Sequence, residues 1–273
     1  MCAKLLIPVA HVEAGLRSFD RTMPEEINRL LTDQIAELLF TPSPDGDENL
    51  IREGVAAAKI HCIGNVMIDT LVRLLPQTDT IPARDGIVEP YTLVTLHRPS
   101  NVDEATMLHQ IVQTLTEISD ALQVVFPIHP RTRQRLAAFD IALPAPQRFM
   151  LLEPLGYLEF LALQRRATVM ITDSGGVQEE STFLGVPCLT VRENTERPIT
   201  VQVGTNTLVG RDMARLKMEV DRILAGMGKV GHIPPLWDGK ASERLANVVE
   251  TWGAARAQRD PRLLSSWLGG GQG

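Results

Sequence analysis

The segment Ile171-Thr172-Asp173-Ser174-Gly175-Gly176-Val177-Gln178-Glu179-Glu180 decides the fold of this chain. An apolar run that predicts a buried strand leads into a Ser-Gly-Gly turn, and the residues after the turn predict the start of a helix. A helix start presents unpaired backbone N–H groups and the positive end of the helix dipole, and glycines let a phosphate approach the backbone closely. The segment therefore predicts an anion site, suited to a nucleotide diphosphate.

Side chains near this turn add to the predicted site. Ser174 supplies a hydroxyl donor, and Glu180, about one turn into the helix, can accept hydrogen bonds from a vicinal diol such as a ribose. Arg197 lies in the charged loop after the next predicted strand, where open α/β sheets keep their ligands. A strand–glycine–helix turn is also a common structural device, and a loop arginine is usually solvated. The turn alone leaves these alternatives open.

The rest of the chain alternates short apolar runs rich in Val, Ile and Leu with longer amphipathic segments. This pattern is typical of parallel sheets covered by helices, and so of an α/β fold. Nine strands are predicted, at residues 5–12, 38–41, 59–63, 92–95, 124–128, 149–152, 168–172, 187–191 and 207–209. Helices are predicted between them, including one at residues 103–121.

A stretch with two prolines at its ends, residues 76–90, is the best candidate for a linker. Three predicted strands precede it, whereas a nucleotide-binding domain of this kind usually has five or six. We therefore predict an incomplete Rossmann-like domain at residues 1–66 and a complete nucleotide-binding domain at residues 67–258. The Gly-rich residues 259–273 are predicted to be a partly disordered tail.

Composition narrows the class of protein. With 44% hydrophobic and 22% charged residues and no apolar run near the membrane-spanning length of about 18 residues, the chain is predicted to be neither disordered nor inserted in a membrane. A net charge of −6 argues against a general nucleic-acid binder. Cys2, Cys62 and Cys188 lack the spacing of a metal knuckle or a disulfide framework, which favours a cytoplasmic location.

Carboxylates mark two places before the predicted linker. Glu13 follows the first predicted strand, and Glu25 and Glu26 stand at the start of a predicted helix. Paired carboxylates are what removal and return of a proton at carbon requires, provided that their pKa values differ. Glutamates in the first turn of a helix are also favoured by the helix dipole alone, so their spacing leaves both interpretations open.

Two strands after the linker end with histidine and arginine. His97 and Arg98 follow one strand, and His129 and Arg131 follow the next. A single histidine in such a place is more often structural. The repetition at one sheet edge indicates a basic rim that faces a polyanion.

Six runs, at residues 11–17, 24–29, 95–98, 127–130, 172–180 and 195–198, together resemble the non-hydrolysing UDP-N-acetylglucosamine 2-epimerases. The resemblance extends from residue 7 to residue 252. It implies the glycosyltransferase type B fold, in which a UDP-sugar lies between two Rossmann-like halves. It also implies interconversion of UDP-N-acetylglucosamine and UDP-N-acetylmannosamine, by elimination of UDP to 2-acetamidoglucal and re-addition of UDP. No metal and no cofactor are implied.

The resemblance also assigns substrate-binding residues. Ser174, Gly175 and Gly176 match the turn that binds the diphosphate, and Glu180 matches the ribose ligand. Arg197 matches a residue that contacts the phosphates.

The remaining matches concern binding of the uracil, catalysis and regulation. Leu155, through its backbone, and Phe160 fall where the family seats uracil. The predicted catalytic residues are Glu13, Glu25 and His97, of which His97 also matches a phosphate contact. Arg98 and His129 match positions that bind a second, regulatory UDP-N-acetylglucosamine in bacterial members.

The sequence departs from the family in three places. It contains neither the family's Gly-Thr-Arg-Pro-Glu loop nor its Gly-Asp-Thr segment with a catalytic Asp, and Pro99-Ser100 replaces an Arg-Glu pair common in bacterial enzymes. We therefore expect the chain as given to bind UDP but to turn over poorly, without regulation by a second substrate molecule. A homodimer is expected from the family.

Three alternatives stay open. Hydrolysing relatives release free N-acetylmannosamine, and a catalytically silent module would bind the nucleotide sugar without reaction. A glycosyltransferase of the same fold is compatible with the Ser-Gly-Gly turn, but it does not explain Glu13 and Glu25.

Overall fold

The computed structural model describes residues 1–145 and 147–259, and its strands form two parallel sheets. The first sheet has the order β1-β2-β3, with β1 at Ala10–Val12, β2 at Leu38–Thr41 and β3 at Ile60–Cys62. The strands of the second sheet are β4 (Tyr91–Thr95), β5 (Gln123–Pro127), β6 (Phe149–Leu152), β7 (Val169–Thr172), β8 (Cys188–Thr190) and β9 (Asn206–Leu208).

Helices connect these strands. They are α1 (Pro24–Ile35), α2 (Pro44–Arg52), α3 (Val66–Leu74), α4 (Pro99–Val102), α5 (Ala105–Ser119), α6 (Pro130–Ala138), α7 (Tyr157–Gln164), α8 (Gly175–Leu184), α9 (Pro198–Gln202), α10 (Met213–Leu224) and α11 (Ala241–Arg259). Single 3-10 turns form at Cys2–Leu5, Ala57–Lys59 and Leu75–Thr80.

The strand order of the larger sheet, β6-β5-β4-β7-β8-β9, is that of a complete doubly wound domain. The prediction of an α/β fold with two Rossmann-like sheets, the first of them small, is confirmed. Strands β5 and β6 are added on one side of β4, and β7, β8 and β9 are added on the other. The order of the strands therefore reverses between β4 and β7, where Thr95 pairs with Thr172. Ligands of such sheets bind beyond the carboxyl ends of the strands at this point. The residues that follow β4 and β7 therefore lie side by side where a ligand is expected.

Alternating side chains of the larger sheet build a core on both of its faces. Val94 and Ile171 point to one face, which α5 and α10 cover, whereas Leu93 and Met170 point to the other. All four are fully buried. Burial of one such side chain stabilises the fold by about 1.5–3 kcal/mol, so the strand ends that carry the site have a rigid base.

The smaller sheet has less apolar packing than the larger one, and part of that packing comes from helix α11. Leu245, Val248 and Trp252 of α11 pack against Leu38 and Phe40 of β2. Helix α11 therefore returns to the first sheet although it lies in the predicted second domain. The division between residues 66 and 67 stays a prediction, and the predicted tail beyond residue 259 lies outside the described residues.

Two examples show where the predicted and observed bounds differ. The strand predicted at residues 5–12 is wrong over its first half, because Cys2–Leu5 forms a 3-10 turn and Leu6 has a left-handed backbone, with φ of 59°. The helix predicted at residues 103–121 begins earlier and is broken. Pro99 starts α4, as suits a first helical turn, and Asp103 and Glu104 separate it from α5.

Candidate functional site

The Ser-Gly-Gly turn (residues 174–176) forms the start of α8, as predicted. Ser174 is the residue before the helix, and its backbone N–H donates to Oγ1 of Thr172 at 3.0 Å. A Cβ added to Gly176 would meet no atom within 4 Å, whereas one added to Gly175 would lie 2.5 Å from Nη1 of Arg197. The turn therefore opens toward free space, and the guanidinium of Arg197 lies directly against it. Helix N–H groups and a guanidinium together suit a phosphate.

Three carboxylates surround Arg197, whose side chain is 13% exposed. Its Nε lies 2.8 Å from Oε1 of Glu179, while longer contacts of 3.9 Å and 3.8 Å join its other nitrogens to Glu13 and Glu196. Burial by itself would lower the pKa of Arg197, but the carboxylates, led by Glu179, raise it. Arg197 is therefore a permanent cation between the turn and Glu13.

Glu179 is a buried acid whose closest cation is Arg197. It lies in the first turns of α8, and burial raises its pKa to about 7, since Arg197 offsets the loss of hydration only in part and Glu13 adds to the rise. Its carboxyl therefore titrates near neutral pH, unlike an ordinary glutamate.

Glu13 projects from a tight loop at the end of β1. Its own backbone is left-handed, with φ of 64°, a conformation that non-glycine residues rarely adopt and that is concentrated at functional sites. At Gly15 the backbone of this loop packs closely against Gly46, and a Cβ at Gly15 would lie 2.3 Å from the carbonyl oxygen of Gly46. Asn49 donates to the carbonyl oxygen of Gly15 at 2.9 Å. The loop thus brings Glu13 within 3.9 Å of Arg197 on the opposite side of the cleft.

Glu25 and Glu26 have opposite surroundings although they are adjacent. Glu26 is 2% exposed and accepts hydrogen bonds from the backbone and hydroxyl of Ser18 and from the backbone N–H of Phe19. Glu25 is exposed and lines an open cavity. Glu26 fixes the loop, and Glu25 is the carboxylate that a ligand can reach.

His97 is held by Asp173, a residue to which the sequence analysis assigned no role. The carboxylate of Asp173 accepts from the backbone N–H groups of His97 and Arg98 at 2.9 Å and 2.8 Å, and it lies 3.0 Å from Nδ1 of His97. Burial by itself would raise the pKa of Asp173, but these contacts, led by that from His97, lower it. The ring of His129 lies 5.3 Å from that of His97. The two predicted strand ends therefore meet.

A cavity of about 720 Å³ joins several predicted site residues, with Glu25 on one side and His97, Arg98 and His129 on the other. Further arginines line it as well: Arg29, Arg131, Arg192 and Arg211. Arg192 forms a buried ion pair with Glu196 at 2.9 Å. Burial would raise the pKa of Glu196, but Arg192 lowers it to about 2.

The predicted ribose and uracil contacts lie on the α7 side of the site. Oε1 of Glu180 already accepts a hydrogen bond from the hydroxyl of Tyr157 at 2.9 Å, and burial raises the pKa of Glu180. Phe160 and Leu155 pack against the core on the second face of the larger sheet. Leu155 also lines a separate cavity beside the linker, so its side chain and the 720 Å³ cavity are apart.

Asp173 and Glu179 are the site residues that the sequence analysis missed. Both stand inside the segment 171–180, so the position of Asp173 after β7 and that of Glu179 in the helix that follows were visible. Their partners, His97 and Arg197, are distant in sequence, and nothing in the spacing pairs them.

Two kinds of feature are absent from residues 1–145 and 147–259: a cluster of metal ligands and a helix that could cross a membrane. No group of three or more His, Cys, Asp or Glu side chains in these ranges is placed to hold a metal ion. None of the helices that the structure describes is both long and apolar enough to span a lipid bilayer.

Two parallel sheets of Rossmann type, a glycine-rich helix start beside a partly buried arginine, and facing carboxylates are features of α/β proteins whose site suits a phosphate group. The family model for UDP-N-acetylglucosamine 2-epimerase matches residues 1–250. The chain therefore belongs to the UDP-N-acetylglucosamine 2-epimerase family, an enzyme family.

Individual relatives agree with this assignment. The UDP-N-acetylglucosamine 2-epimerase of Methanocaldococcus jannaschii is 44% identical over 259 residues, which cover 91% of this chain and 70% of the relative. Its crystal structure in complex with UDP-GlcNAc and UDP matches 92% of this chain and 71% of that chain, with a TM-score of 0.82. A UDP-2,3-diacetamido-2,3-dideoxy-D-glucuronate 2-epimerase of Pseudomonas aeruginosa is 41% identical over 90% of this chain and 69% of the relative.

Proposed function

We propose that this chain carries the site for non-hydrolysing interconversion of UDP-N-acetylglucosamine and UDP-N-acetylmannosamine. The observation that carries the proposal is the placement of Arg197 between the Ser-Gly-Gly turn and Glu13, with 3.9 Å from its guanidinium to the carboxylate. A diphosphate at the turn would put the attached sugar on the side of Glu13 and Glu25.

The reaction balances without an external reactant. A base takes the proton from C2 as the bond between C1 and the diphosphate oxygen breaks, which leaves 2-acetamidoglucal and UDP. UDP then adds back to C1 while an acid returns a proton to the opposite face of C2. Two groups on opposite faces are needed, and a carboxylate pair with different pKa values performs such work.

The described residues support a division of roles. Turn N–H groups, Arg197 and His97 stabilise the charge that develops on the leaving UDP, since fixed donors in a partly buried site act strongly on anions. Asp173 positions His97 through the 3.0 Å contact to Nδ1. Glu13 and Glu25 are the candidates for the acid and the base.

The test combines calorimetry with UDP and proton exchange in heavy water. We expect UDP to bind and deuterium to enter C2 of UDP-N-acetylglucosamine, with UDP-N-acetylmannosamine as the product seen by NMR. Exchange is expected to be slower than in the Methanocaldococcus relative, because the Gly-Thr-Arg-Pro-Glu loop is not among these 273 residues. Failure to bind UDP would overturn the assignment of the turn.

The same experiment separates the alternatives. Free N-acetylmannosamine in the NMR spectrum would favour the hydrolysing reaction, and binding without exchange would favour a silent nucleotide-sugar module. Exchange as fast as in the relative would contradict poor turnover. The homodimer and the cytoplasmic location stay predictions.

A second substrate is favoured by the Pseudomonas relative, whose identity of 41% is close to the 44% of the archaeal one. A glucuronate carries a carboxylate, and the arginine-lined cavity beside Glu25 suits such a group. Both UDP-sugars should be offered to the chain in separate exchange assays. If exchange is faster with the diacetamido-glucuronate, that UDP-sugar would replace UDP-N-acetylglucosamine as the proposed substrate.

A further inference from the structure

Arg197 faces more negative charge than it can neutralise. Glu196 is already paired with Arg192 at 2.9 Å, so Arg197 is shared chiefly between Glu179 and Glu13. A nucleotide-sugar diphosphate at the Ser-Gly-Gly turn would add two further negative charges beside the same guanidinium. Like charges in a partly buried site repel strongly, and one of the acids relieves this by binding a proton.

Glu179 is the acid placed to take that proton. It is 1% exposed, so its ionised form is poorly hydrated, and Arg197 is its single close cationic partner among the described residues. The side chain of Asn65, at the start of α3, lies close enough to Glu179 to lower its pKa slightly. Among the described residues, however, Oε2 of Glu179, Nδ2 of Asn65 and Nε of Arg197 complete no hydrogen bond of good geometry. The charged groups that act most strongly on Glu179 are Arg197, which favours ionisation, and Glu13, which opposes it.

We propose that Glu179 takes up a proton when a nucleotide sugar binds at the Ser-Gly-Gly turn, which frees the guanidinium of Arg197 for the phosphates. Glu179 acts through Arg197 and is therefore a positioning residue. This inference rests on the proposed function, because it requires a diphosphate at the turn.

The ionisation of Glu179 sets the pH range in which proton uptake on binding is expected. Because the pKa of Glu179 is raised to about 7 before binding, its carboxyl is protonated at pH 5.5 and ionised at pH 8. A bound diphosphate raises this pKa further, so proton uptake is small at pH 5.5 and approaches one proton at pH 8. The affinity for the nucleotide sugar consequently falls by roughly ten- to twenty-fold between pH 6.5 and pH 8.5.

The experiment is calorimetry of UDP-N-acetylglucosamine binding to the full chain at pH 5.5 and at pH 8. At each pH the titration is run in two buffers of different ionisation enthalpy. This ligand is chosen because its diphosphate lacks the terminal phosphate group that titrates near pH 6 in UDP. The difference in heat between buffers reports the number of protons bound. Wild-type binding at pH 8 without proton uptake would overturn the inference and leave the proposed function intact, whereas no binding at either pH would overturn both.

Two matched variants locate the proton. Glu179→Gln should bind without proton uptake and with an affinity that no longer depends on pH between 6.5 and 8.5. Glu180→Gln changes the adjacent buried glutamate, which faces Tyr157 instead; it should bind more weakly and still take up a proton. Uptake that persists in Glu179→Gln would assign the proton elsewhere and refute the inference. If Glu179→Gln does not fold, the wild-type measurement decides.

Discussion

The two sheets hold their parts of the site by different means. The six-stranded sheet carries the turn, His97 and Arg197 on strands that are buried on both faces. The three-stranded sheet carries Glu13, and β1 at its edge is largely exposed. Its loops are fixed by buried polar groups instead, above all Glu26 and the ion pair of Arg17 with Asp33 at 2.6 Å.

This difference matches the role proposed for each half. A phosphate site needs donors at fixed positions, which a dense apolar core supplies. Carboxylates that exchange protons need reach into the cleft and partial hydration, and a network of hydrogen bonds can hold their loops without burying them. The polar half depends on full pairing, because an unpaired buried charge is costly.

The largest expected effect tests the difference in packing. Ile171→Ala in β7 removes a side chain that is 0% exposed and should lower the free energy of unfolding by about 2–5 kcal/mol. Ile35→Ala, at a position that is 51% exposed in α1, should change it by less than about 0.5 kcal/mol. Urea denaturation measures both. Equal losses of stability would contradict the difference in packing between the two halves and show that α1 is covered in solution.

The next effect separates the two adjacent glutamates of the smaller half. Glu26→Gln leaves the donors of Ser18 and Phe19 imperfectly paired and should cost about 1–3 kcal/mol of stability. Glu25→Gln should leave the melting temperature unchanged and slow C2 exchange by roughly 100-fold, as loss of a general acid or base does. Thermal melts and NMR exchange rates give the two readouts. A stable Glu26→Gln variant with slow exchange would reverse the assignment.

The smallest effect concerns the two glycines of the turn. Gly175→Ala brings a Cβ to within 2.5 Å of Nη1 of Arg197 and should move the guanidinium, with UDP affinity lowered roughly tenfold, or about 1.4 kcal/mol. Gly176→Ala meets no protein atom and should leave Arg197 in place. Calorimetry with UDP compares the pair. If Gly176→Ala weakens binding as much as Gly175→Ala, the added methyl contacts the ligand itself, and the phosphates lie closer to Gly176.

Much of the larger half could be predicted from the sequence. Short apolar runs bounded by glycine, proline and polar residues predicted its six strands, because strands buried on both faces require continuous apolar residues. The first strand was predicted too long, since the apolar residues Leu5 and Leu6 are exposed beside a 3-10 turn. Apolar character predicts a strand only where a sheet buries it.

The site could be predicted less completely. The order of motifs indicated the ends of β4 and β7, and the register of Thr95 with Thr172 brings those ends together. Glu25 and Glu26, by contrast, have the same chemistry and adjacent positions, and the sequence offered no reason to separate them beyond the family match. Only the hydrogen bonds from Ser18 and Phe19 make one structural and leave the other open to the cavity.

The alternation of strands and helices, the glycine-rich start of α8 and the family follow from the sequence alone, because they depend on local patterning and on motif order. The tertiary structure decided which charges meet. Asp173 reaches His97, and Glu179 shares Arg197 with Glu13, only after the sheets have formed. The cost of burying a charge depends on neighbours that are distant along the chain, so the ionisation of Glu179 is a property of the folded site.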